Sequence, residues 1–67
     1  MEKNWVKIFE TPEDLNMEIA RQQLEDHGIE AVVINKKDRT YLIGELELYV
    51  NRDRVIEAKS VIKELLD

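Results

Sequence analysis

The sequence predicts an α+β fold, a two-layer sandwich in the order strand, helix, strand, strand, helix. Three observations predict it. Two stretches repeat apolar residues every three or four positions, three shorter stretches are β-branched or alternate, and the only proline and two glycines fall at the joints between them. With 67 residues there is room for one domain, residues 1–67.

The first strand is Trp5-Val6-Lys7-Ile8-Phe9-Glu10. Strict alternation puts Val6 and Ile8 on one face and Trp5, Lys7 and Phe9 on the other. Thr11-Pro12-Glu13-Asp14 then reads as a helix start, with Thr11 as the cap, Pro12 at the first helical position and two carboxylates against the positive end of the dipole. Leu15, Ile19, Ala20, Leu24 and His27 supply the apolar stripe. Gly28 is placed to close the helix in a left-handed conformation, bringing Ile29 against Leu24.

Ala31-Val32-Val33-Ile34-Asn35 is a short buried strand, and Lys36 to Thr40 a polar, mostly basic connection. After Tyr41-Leu42-Ile43-Gly44, the run Glu45-Leu46-Glu47-Leu48-Tyr49-Val50 alternates cleanly with its leucines and valine inward. A second helix begins near Asn51 to Asp53 and carries Val55, Ala58, Ile62 and Leu65, flanked by Val61 and Leu66.

A right-handed crossover followed by a hairpin gives the antiparallel sheet order second, third, first, with both helices on one face. This is a ferredoxin-like arrangement without its last strand. It leaves the first strand on an edge and one sheet face uncovered. Trp5, Phe9 and Tyr49 are expected on that face, with one apolar residue of the second strand. Leaving such side chains in water forgoes ~1.5–3 kcal/mol each, so the face is a candidate interface, joined by Tyr41, Leu42 and Ile43. A chain this short often gains stability by association, so a homo-oligomer or a protein partner is expected.

Composition narrows the function classes. Fifteen acidic and ten basic side chains give a net charge of −5. No apolar run nears the ~20 residues of a membrane span, and the start of the chain does not read as a secretory signal, so a cytoplasmic location is expected. Cysteine is absent and His27 is the only histidine, which leaves no triad or thiolate metal site; no enzyme and no cofactor are expected. Glu45 and Glu47 share a strand face, and alternating glutamates there read as solvated rather than as an acid–base pair. Asn35-Lys36-Lys37-Asp38 matches an N-K-x-D guanine-reading pattern, but no phosphate-cradling glycine loop accompanies it. An aromatic sheet face would suit RNA stacking, yet the acidic balance opposes phosphate binding. Lys36, Lys37 and Arg39 form the one local basic cluster, a candidate contact for a small anionic metabolite or an acidic partner.

Read together, Leu24 to Val33, Asn35-Lys36-Lys37-Asp38 and Tyr41 to Val50 resemble a bacterial family of putative prokaryotic signal-transducing proteins, a domain of unknown function. The resemblance spans nearly the whole chain. It implies a ferredoxin-like fold similar in shape to the nitrogen-regulatory PII proteins and a regulatory role without an assigned ligand. In PII proteins a long loop after the second strand contacts partners; here the corresponding segment, roughly Lys36 to Gly44, is far shorter, and no nucleotide-site residue is carried over.

Overall fold

A computed structural model describes residues 4–37 and 44–66. Its elements are β1 (Trp5–Thr11), α1 (Asp14–Asp26), β2 (Ala31–Asn35), β3 (Leu46–Asn51), a 3-10 turn over Arg52–Arg54, and α2 (Val55–Leu66). The sheet is antiparallel in the order β1-β3-β2, as the sequence predicts. Among the described residues β3 is therefore central, and both β1 and β2 are edges.

The core lies between the helices and one sheet face. β3 contributes Leu46, Leu48 and Val50, α1 contributes Met17, Ala20 and Leu24, and α2 contributes Ala58, Val61 and Ile62, with Ile29 closing one end. The expected stripe of α1 is corrected here. Leu15 is 71% exposed and Ile19 39%, while Met17, unremarked in the sequence pattern, is buried to 2%. The helix has two neighbours, the sheet below and α2 beside it. Met17, Ala20 and Leu24 meet the sheet side, while Ile19 turns to a groove it shares with Phe9, Asn16, Leu65 and Leu66. His27 is exposed as well, its Nδ1–H donating to the Gln23 carbonyl at 2.8 Å.

The start of α1 also differs from expectation. Thr11 stays in β1 opposite Leu46, and its hydroxyl accepts the Glu13 N–H at 3.2 Å, so the helix begins at Asp14 rather than at Pro12. The end of α1 follows the sequence closely. Ile29 N–H bonds the Leu24 carbonyl and Gly28 N–H the Glu25 carbonyl, both at 2.9 Å, with Gly28 at φ +74°. That is a Schellman closure, and it buries Ile29 against the core beside Leu24. The second helix is prefaced by Asn51, whose side chain accepts the Asp53 N–H at 3.0 Å and caps the 3-10 turn. Arg54 grips Glu57 and reaches the Gly28 carbonyl at 3.3 Å, tying the start of α2 to the end of α1.

β1 carries the main departure. Its register to β3 slips between Lys7, opposite Tyr49, and Phe9, opposite Leu48, so Ile8 is the extra residue of a β-bulge. Beyond the bulge the faces exchange. Phe9, expected on the uncovered face, packs with Ile8 against the core. One inserted residue moves every later side chain of the strand to the opposite face.

Candidate protein-interaction face

Residues directly opposite in a sheet share a face, so the register assembles, row by row, the side left uncovered among the described residues. Trp5 lies opposite Asn51. Lys7, Tyr49 and Val32 form the next row, and Glu10, Glu47 and Ile34 the one after. Lys7, Glu10 and Glu47 form the charged part of this side, and Tyr49, Val32 and Ile34 an apolar part toward β2. Trp5, Val32, Ile34 and Tyr49 are each half-buried, and neither helix lies on this side. Of the residues expected here, Trp5 and Tyr49 are in place and Phe9 is not. Both Val32 and Ile34 join them, where the sequence predicts a single residue from β2. Tyr41, Leu42 and Ile43 lie outside the described residues.

A polar strip borders the apolar part. The Tyr49 hydroxyl donates to Glu47 Oε1 at 2.8 Å, and Lys7 Nζ stands 3.1 Å from Glu10 Oε2 and 3.6 Å from Glu47 Oε2. The Tyr49 hydroxyl holds the Glu47 carboxyl below the ordinary carboxylate value, with the charges of Lys7 and Lys36 acting in the same direction. The same bond, with burial, raises the Tyr49 phenol. The bond to Glu10, then the charges of Glu10 and Glu47, raise Lys7. Along the outer edge of β1, Lys7, Ile8, Phe9 and Glu10 line an open depression of about 340 Å³ at the bulge.

The strip gives stability a pH dependence. The depressed Glu47 carboxyl contributes fully above about pH 4.5, its ordinary value, and the contribution is lost as pH falls through the lower folded value. The raised Tyr49 phenol has the opposite sign: its contribution stands below about pH 10 and is lost as pH rises through the higher folded value. Glu47→Gln keeps an acceptor for Tyr49 but removes the titrating charge. Thermal melts at about pH 3 and pH 7 should show a smaller acid loss in the variant than in the parent. Equal losses would show that Glu47 does not contribute.

The basic cluster separates in the structure. Lys37 Nζ pairs with Asp14 Oδ1 of α1 at 3.3 Å, on the helix side of the sheet. Lys36 continues the ladder of β2, its N–H bonding the Glu45 carbonyl at 3.0 Å, and its charge acts on Glu47 from the uncovered side. Alternation along the extended chain sends the two neighbours apart. Arg39 lies outside the described residues. Asn35 Oδ1 accepts the Lys37 N–H at 2.8 Å, so the asparagine of the N-K-x-D motif is engaged by its own backbone.

What the fold and this face define is a small α+β module with one side of its sheet left open by its helices. The chain belongs to the family described as "Putative prokaryotic signal transducing protein", whose model matches residues 5–65. Searches of characterised proteins and of solved structures each returned no significant match. Among the described residues no helix is long and apolar enough to cross a membrane.

Proposed function

We propose that the chain is a non-enzymatic interaction module of a signalling system, which docks a protein partner on the uncovered sheet face. The observation that carries this reading is that Trp5, Tyr49, Val32 and Ile34 all stand half-buried on the side away from both helices. The family description supports the signalling part. A residue inventory without cysteine and with a single histidine supports a role in binding rather than catalysis. Glu10, Glu45 and Glu47 outnumber Lys7 and Lys36 on this side, so the partner that fits is an apolar surface rimmed by basic side chains. Sensing of a small anion at the β2–β3 connection has less support, because Lys37 is already engaged by Asp14.

A photo-crosslinking side chain tests this when placed at position 32 and, as a control, at position 56 on the outer face of α2, where Ile56 is 88% exposed. In the cells that make the protein, position 32 should capture a protein that position 56 does not. The purified pair should then shift the emission of Trp5, the only tryptophan. Capture from both positions alike, or from neither, would overturn the reading.

A further inference from the structure

The two edges of the sheet are not equally protected. β1 carries a bulge at Ile8, has Lys7 and Glu10 along it, and is followed by Pro12, all features that discourage another strand from pairing. β2, Ala31-Val32-Val33-Ile34-Asn35, has no charge, no proline and no break in its register to β3. Its outward hydrogen-bonding groups follow from the ladder. The Lys36 N–H bond to Glu45 belongs to the same register as Ile34 opposite Glu47 and Val32 opposite Tyr49. In an antiparallel pair such bonded positions alternate, so Val32, Ile34 and Lys36 bond inward. Ala31, Val33 and Asn35 turn their N–H and C=O groups to the edge.

We propose that a second copy of this chain adds to β2, antiparallel about a two-fold axis at Val33, so that the two sheets become one. The inference rests on the reading of the chain as an interaction module and adds a second contact to it, at the β2 edge rather than on the open face. In this arrangement Val33 of one copy faces Val33 of the other, and Ala31 faces Asn35, with their outward groups meeting. Val32 then faces Ile34 on the uncovered side, which joins the apolar halves of the two open faces.

Charge selects both the partner and the direction. Glu30, just before β2, and Lys36, just after it, are both exposed. Counting outward from Val33, antiparallel pairing sets Glu30 of each copy opposite Lys36 of the other. Parallel pairing in register would set glutamate on glutamate and lysine on lysine. Above the edge, Asp14, Glu18, Arg21 and Glu25 recur along one side of α1, the side that Lys37 reaches. Arg21 is bonded there to Glu18 and Glu25, and Lys37 to Asp14, so each copy presents a stripe with a single net negative charge.

A charge exchange tests the arrangement. Sedimentation equilibrium over roughly 10 µM to 1 mM should show a monomer–dimer equilibrium. Glu30→Lys or Lys36→Glu alone should weaken it about tenfold, and the double variant should return it to near the parental value. Both sites are exposed, and circular dichroism should show the fold unchanged. Amide exchange adds a local reading, because the Val33 N–H should become protected as the dimer forms. A parent that stays monomeric throughout, single variants that dimerise like the parent, or an unprotected Val33 amide in the dimer would each overturn the proposal. Crosslinking to a different protein from position 49, on the middle strand and away from the β2 edge, is read separately in the single variants, so failure of edge pairing and failure of partner docking are distinguishable.

Discussion

Leu48→Ala is expected to remove about 3 kcal/mol of folding stability, the first of the two largest effects we anticipate. Leu48 is fully buried at the centre of the middle strand, with Phe9 opposite it on one side and Val33 on the other. Residues from both helices fill the same cluster. Truncation forfeits the transfer energy of the leucine and leaves a cavity between a strand and two helices that are each held elsewhere. Leu→Ala at such sites costs ~2–5 kcal/mol. A domain of this length has a total stability of only ~3–10 kcal/mol, so the variant should lose a third of it or more. Urea denaturation measures the loss directly, and the melting temperature should fall by more than about 12 °C. Ile56→Ala is the control. At 88% exposure it should stay within ~0.5 kcal/mol of the parent. A Leu48→Ala cost below ~1 kcal/mol would contradict the packing described here.

What the sequence made legible depended on whether one local rule decided the outcome. Gly28 followed by Ile29 specifies the Schellman closure almost alone, because few residues other than glycine accept the left-handed conformation and Ile29 needs the Leu24 contact. The sheet order was legible for a similar reason: handedness and short connections leave few alternatives. The bulge in β1 was not legible. Val6, Ile8 and Phe9 are apolar in any register, so strict alternation and a slipped register look equally well patterned. Strict alternation therefore puts Phe9 on the wrong face; past the bulge Glu10, opposite Glu47, stands on that side of β1 instead. The stripe of α1 failed for a related reason. Leu15 and Ile19 are as apolar as Met17, and only the position of α2 decides which of them the sheet receives. Thr11 and Pro12 read as a helix start because both residues favour it. The pairing of Thr11 with Leu46 keeps the strand one residue longer. The basic cluster separated because alternation along the ladder, not proximity in sequence, sets the direction of Lys36 and Lys37.

Gly44 and Gly28 should respond very differently to the same methyl group, and the difference gives the second large effect. Both have positive φ, +102° and +74°, so alanine at either carries the backbone penalty of about 1–2 kcal/mol. At Gly28 an added Cβ meets nothing within 4 Å, so the penalty should stop there. At Gly44 the Cβ would stand 2.4 Å from the Lys36 carbonyl oxygen and 3.2 Å from the Lys37 Cα. Those are backbone atoms, and Lys36 is held in place by the bond from its N–H to Glu45 at 3.0 Å. Relief requires β2 and β3 to separate at this end, which adds the cost of a broken ladder bond, ~1 kcal/mol, to the strain itself. Gly44→Ala should therefore cost about 3 kcal/mol or more against about 1–2 kcal/mol for Gly28→Ala. Urea titrations of the two variants give the comparison. Faster exchange of the Lys36 amide in Gly44→Ala would locate the damage at the end of the β2–β3 ladder. Equal costs at the two glycines would mean that the close approach of Gly44 to Lys36 does not constrain the hairpin.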